Sequence, residues 1–237
     1  MAISGSTDFD VTRTQIIDSA LRVLGVLRAG DTVENDANME TDCAQALNMM
    51  LKAWQNLGMQ LWTKKQEVIA WESGTRTKSI KSPGGDVNIA QPLRIIDAQR
   101  RSSSNIDTSM ILMTRQEYDN QSSKFSNGTP VQYYYDPQLT QGNLYVWPVP
   151  SSNTNIVIVY QDQYDDMDSN TDTLEFPNRW LEAAKWNLAI RLAPEYGRQL
   201  DPVVAQMAVV SLESAQMEGY EEGSIRFRPS PRARYGR

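Results

Sequence analysis

The chain contains no histidine and a single cysteine, Cys43, among its 237 residues. Without histidine it lacks the commonest general base and neutral metal ligand, which excludes Ser-His-Asp, Cys-His and HExxH chemistry. One cysteine excludes an internal disulfide framework and any cysteine-rich zinc site. No uninterrupted apolar run reaches the roughly 20 residues that cross a bilayer, so no membrane insertion is expected. Residues 1–10 carry no basic start and no apolar stretch, so they do not read as a secretory signal. Synthesis in a reducing cytoplasm is the expectation. Gly84-Gly85 is followed by neither a Walker lysine nor a strand-to-helix pattern, so no phosphate loop is present. No cofactor and no metal are expected.

What is present is charge, unevenly placed. The net charge is −6, yet residues 223–237 hold five arginines and no acid. The rest of the chain therefore carries 18 bases against 29 acids, a net of −11. Such a body repels nucleic acid, while the basic arm seeks an acidic surface.

Hydrophobic periodicity divides the chain into three parts. Thr12 and Gln15 have capping-box spacing, and Ile16, Ala20, Leu21 and Leu24 continue a helix over 13–24, with Gly25 as its stop. Met39, Cys43, Leu47, Met50, Trp54 and Leu57 make a second, longer stripe that Gly58 ends. Cys43 lies on that stripe and reads as a small buried hydrophobe rather than a reactive thiol.

From Gln66 the period becomes two. Residues 67–71, 93–99, 131–135, 144–147 and 156–160 read as strands, the last three rich in aromatic and β-branched side chains. In 93–99, Leu93, Ile95 and Asp97 alternate against Arg94, Ile96 and Ala98. Thr114 and Glu117 cap one helical turn. Short connections between the last three strands favour an antiparallel meander. Helical pattern resumes at Phe176-Pro177, where Trp180, Leu181, Ala184, Leu188 and Leu192 face one side. A final helix starts at Asp201-Pro202 and carries Val203, Val204, Met207, Val210, Ser211 and Leu212 toward Met217.

The fold class is therefore α+β. An antiparallel helical bundle forms from both ends of the chain (1–65 and 174–222), around an inserted antiparallel β domain (66–173), with an extended basic arm (223–237). Closing helices must return to the opening pair to bury their apolar faces.

Chemical readings are weak by comparison. Asp162, Asp165, Asp166, Asp168 and Asp172 suggest a two-carboxylate glycosidase, but a Ser/Asn/Thr-rich setting reads more simply as a solvated linker. That stretch also lacks the glycine and terminal glutamate of a calcium-binding EF loop. Tyr133, Tyr134 and Tyr135 offer a stacking surface for a sugar or base, although alternation sends Tyr134 opposite to its neighbours and packing explains at least one face. A carbohydrate- or wall-acting enzyme and a sugar- or DNA-binding module are thus the alternatives to a contact-making structural protein. Within the arm, Arg226, Arg228, Arg232 and Arg234 alternate with Phe227 and Tyr235. Solubilisation, DNA contact and ordering on a partner are all open, and the two aromatics favour ordering on another protein.

Three stretches carry a family resemblance: Ile16-Ile-Asp-Ser-Ala-Leu-Arg-Val-Leu-Gly25, Ala46-Leu-Asn-Met-Met-Leu-Lys-Ala-Trp54 with Gly58, and Trp180-Leu-Glu-Ala-Ala-Lys-Trp-Asn-Leu-Ala-Ile-Arg-Leu-Ala-Pro-Glu-Tyr-Gly197. In this order the chain resembles the head-to-tail adaptors of short-tailed bacteriophages, also called tail accessory factors or tail tubular A-type proteins. The long β insertion is closer to the larger tail tubular type than to the smaller adaptors. The resemblance implies a structural virion protein of the neck, assembled in the host cytoplasm, with no catalytic residues. It implies a homo-oligomeric ring of twelve copies between the portal protein and the tail nozzle, with DNA passing through the lumen and tail fibres as a further partner. It also implies that the arm, through Arg226, Phe227, Arg228, Arg232, Arg234 and Tyr235, docks on the portal. An acid-lined bore would keep the duplex sliding.

Overall fold

The computed structural model describes residues 9–57, 63–173 and 176–217. Gly58 and the whole arm, including Arg226, Phe227, Arg228, Arg232, Arg234 and Tyr235, lie outside the described residues. The architecture is mixed α+β, with five α-helices and several sheets among the described residues.

The helices are α1 (Arg13–Val23), α2 (Ala37–Trp54), the short α3 (Arg115–Asp119), α4 (Arg179–Leu192) and α5 (Pro202–Met217). Their starts are chemically specified. Thr12 and Gln15 form a reciprocal capping box on α1, and Thr114 and Glu117 do the same on α3. Asp36 accepts the free N–H groups of Asn38 and Met39 at the head of α2, and Asp201 that of Val203 on α5. Each side-chain oxygen satisfies a donor that has no partner within its helix.

Helices from the two ends of the chain share one core. Ile16, Ile17 and Leu21 of α1 meet Leu47, Met50, Leu51 and Trp54 of α2 and Trp180, Ala184 and Leu188 of α4. Trp54 and Trp180 are tilted at 5.5 Å between ring centroids. Tyr164 and Met167, from the connection leading into α4, belong to the same core.

The intervening strands are β1 (Lys64–Trp71), β2 (Thr77–Ile80), β3 (Arg94–Arg101), β4 (Asp107–Ser109) and β5 (Ile111–Leu112). After α3 come β6 (Asn127–Gly128), β7 (Gln132–Pro137), β8 (Gly142–Trp147), β9 (Val149–Pro150) and β10 (Thr154–Gln161). Two four-stranded sheets, ordered β1-β10-β3-β4 and β2-β8-β7-β5, enclose a second core of Ile69, Trp71, Ile80, Tyr133, Leu144 and Ile158 with their neighbours. β4 and β5 are consecutive in the chain yet sit on the edges of different sheets, with buried Met110 between them.

Three expectations are corrected. The last three strong strands do not form a meander: β7 and β8 pair antiparallel, but β10 crosses to the other sheet and runs between β1 and β3. Its continuous Ile-Val-Ile-Val-Tyr run fits that central position, where Ile156 and Ile158 enter the core while Val157 is buried on the opposite face. The β part is also not wholly antiparallel, since β5 pairs parallel with β7 and β6 with β9. Finally, strict alternation in β3 fails. Val159 pairs with Asp97 and Tyr160 with Ile95, so Ile96 is an extra residue that turns both Ile95 and Ala98 inward.

A close approach fixes one glycine. A Cβ on Gly142 would run into the ring and hydroxyl of buried Tyr135, whose Oη donates to the Pro92 carbonyl at 2.8 Å. Gly142→Ala is expected to cost about 2 kcal/mol through overpacking and loss of that hydrogen bond. Thermal unfolding measures it, and an unchanged midpoint contradicts the close contact.

Candidate assembly surface

Cys43 and the three consecutive tyrosines resolve into packing. Cys43 is fully buried and shares a hydrogen bond with the Tyr196 hydroxyl at 3.3 Å. Burial pushes its thiol pKa upward, which leaves little thiolate near neutral pH. Tyr133 and Tyr135 point into the sheet core, and burial pushes the Tyr133 phenol up to about 12. Tyr134 faces the other way, as alternation requires. There it stacks on Tyr118 at 5.2 Å and Tyr145 at 5.6 Å, so its ring faces are taken by the protein itself.

The aspartate-rich stretch is more than a solvated linker. Asp162 pairs with Lys65 at 2.6 Å, and Asp166 with Lys52 at 2.8 Å. Arg13 donates to the carbonyls of Met167 and Asp168 at 3.0 and 2.9 Å, to Glu40 at 3.0 Å and to Asn170. Asn48 on α2 accepts from the Met167 N–H. The segment is thereby strapped across α1 and α2. Among the described residues, no group of three or more acids and cysteines is placed to hold a metal ion.

One surface remains without a partner among the described residues. α5 packs against α4 through small side chains: Ala208 and Ala215 are buried, and Asn187 of α4 donates to the Ala208 carbonyl at 3.1 Å. Val204 and Leu212 complete that contact. At 100° per residue, Val203, Met207, Val210, Ser214 and Met217 gather on the opposite side. Val203 is 58%, Met207 44%, Val210 52% and Met217 74% exposed. Val203, Met207 and Val210, which carry the helical pattern of α5, therefore lie outside the subunit's own core. The small alanines take the inward face because they allow α4 and α5 to approach closely, and the large side chains are left outside. Ala208 and Ala215, seven residues apart, were the available signal. Glu213 is the only charged residue in α5.

A helix apolar on both sides is normally covered on both. Here no described residue covers the second side, and contiguous exposed apolar faces of this kind mark interaction sites. A smaller exposed apolar point lies on α2, where Met49 is 56% exposed beside a groove lined by Ala44, Gln45, Asn48, Lys52 and the Met167–Asp168 strap.

Comparison with known families agrees with a contact-making role. The family described as SU10 adaptor protein matches residues 11–234. The chain belongs to the SU10 adaptor protein family. The match spans both terminal helical pairs and the β-rich part between them, so the likeness to phage head-to-tail adaptors covers nearly the whole chain. The protein is a bacteriophage adaptor, a structural component of the virion neck. No curated protein matches the chain. No helix among the described residues is long and apolar enough to cross a membrane.

Proposed function

We propose that the protein works as a ring-forming joint between the portal and the tail nozzle, with twelve copies around a bore that carries the genome without sequence-specific binding. Its helical ends (1–65 and 174–222) form an antiparallel bundle that packs side by side in the ring. The β-rich insertion (66–173) projects from it and offers a seat for tail components, including fibres. The arm (223–237) reaches the portal through Arg226, Phe227, Arg228, Arg232, Arg234 and Tyr235. It has no reaction of its own.

The observation that carries this reading is the second apolar face of α5, in a chain belonging to an adaptor family. Separate helical and β cores support the division into body and insertion. Electron microscopy of the full chain mixed with portal rings is the test. A second ring stacked on the portal is expected, and a protein that stays monomeric and unbound overturns the reading.

The arm has its own test. Deleting residues 223–237 is expected to leave the unfolding midpoint unchanged and to abolish co-sedimentation with portal rings. Undiminished co-sedimentation removes the arm from the portal contact.

A further inference from the structure

We propose that the outward face of α5 on one copy seats on the exposed face of α2 on the next copy, beside the groove closed by the 167–168 strap. The proposal rests on the ring assembly inferred above and names the two surfaces that would build it. A ring of identical copies needs two different, complementary patches on each subunit, because the same patch meeting itself closes a dimer and stops. The helical part offers such a pair. α5 lies along α4, and α4 also touches α1 and α2, so α5 and α2 present separate flanks of one body.

The two faces match in chemistry. On α2, Thr41, Gln45, Met49 and Ala53 are all exposed and lie four residues apart, forming a single ridge without charge. On α5, Val203 and Met207, then Val210 and Ser214, form ridges of the same spacing, also without charge. Ridges spaced by four residues interdigitate in the commonest helix-packing geometry. Charge is the deciding argument. Outside the arm the chain carries 18 bases against 29 acids, so copies repel one another over most of their surface. Uncharged ridges are where two such bodies can approach, as interface centres are depleted in charge. Met49 beside an open groove suits the role, since an unbranched thioether adapts to the side chains that cover it. Glu213 at the flank of the α5 ridge and Lys52 at the edge of the groove, the latter paired with Asp166, keep charge at the rim.

The test is oxidative cross-linking of the full chain bearing both Met49→Cys and Met207→Cys, assembled on portal rings. Both positions are exposed, so the fold tolerates the changes, and buried Cys43 stays out of the reaction. A ladder of covalent dimers, trimers and larger species is expected from the doubly substituted chain, with none from either single variant. Rings that give no ladder overturn this pairing while leaving assembly intact. A covalent dimer from M207C alone overturns it by showing α5 against α5, and cross-linking of M207C to the portal overturns it by naming another occupant. Failure of the unsubstituted chain to form rings on the portal, with a normal unfolding midpoint, defeats the assembly reading instead. As a second measurement, M49D is expected to reduce ring formation at least tenfold, as a single buried carboxylate at the interface would. Full assembly of M49D excludes the α2 ridge.

Discussion

Arg13→Ala is expected to lower the free energy of unfolding by about 3 to 4 kcal/mol. The site is unusual on local grounds. A cation in the first turn of a helix opposes the macrodipole, and α1 has no acid in its first turn to offset it. The side chain is held there by long-range partners. Its guanidinium joins the Met167 and Asp168 carbonyls, Glu40 and Asn170, and the Arg13 amide donates to the Asp172 carbonyl at 2.8 Å. Arg13 and Glu40 side chains are only 9% and 19% exposed, so truncation strands a carboxylate in a poorly solvated place. Breaking one side of such a pair costs far more than the pair is worth intact. By contrast, Lys52→Ala removes an ion pair whose members are 39% and 54% exposed, and a loss below about 1 kcal/mol is expected. Urea denaturation of the two variants separates them. Arg13→Lys keeps the charge but not the planar fork, and an intermediate loss is expected. If Arg13→Ala and Lys52→Ala prove equally mild, the strap is not anchored by its buried guanidinium.

Local signals in the sequence were reliable where they involved near neighbours. Thr12 with Gln15 and Thr114 with Glu117 form the capping boxes that their spacing suggests, and Asp201-Pro202 does start a helix. The five stronger strands lie where period-two stretches placed them, within a few residues at each end. What was not legible depends on contacts distant in sequence. Nothing in residues 154–161 says that β10 leaves the β7–β8 hairpin to pair with β1, over eighty residues earlier in the chain. Short connections favour neighbouring pairing, but a strand apolar on both faces is better buried at a sheet's centre. The bulge at Ile96 is likewise invisible, because one inserted residue leaves composition and pattern intact. The aspartates at 162–172 read as solvent-facing until Arg13, Lys52 and Lys65 are brought beside them. As for the assembly surface, periodicity showed that α5 was apolar but not which side turned inward. That was settled by the volume of Ala208 and Ala215 against α4.

Placing aspartate at both Met207 and Val210 is expected to abolish self-association while leaving the monomer folded. These side chains lie outside the subunit core, so the fold should lose no more than about 0.5 kcal/mol, as for ordinary surface changes. In an assembled ring they would be fully covered, and burying a Val or Met side chain contributes about 1.5 to 3 kcal/mol each. Replacing both by carboxylates removes that contribution at every interface of the ring and adds buried, unpaired charge. The expected fall in association is at least a thousandfold, which corresponds to about 4 kcal/mol per interface. Circular dichroism and unfolding midpoints report on the monomer, and analytical ultracentrifugation with portal rings reports on assembly. Alanine at Gln206, on the edge of the same face, serves as the control and should assemble normally. Two outcomes separate the physical possibilities. If the double variant unfolds readily, Met207 and Val210 stabilise the subunit itself and the exposed face is a misreading of the fold. If it stays folded and still forms rings, copies meet elsewhere, and the second apolar side of α5 must belong to a different partner in the neck.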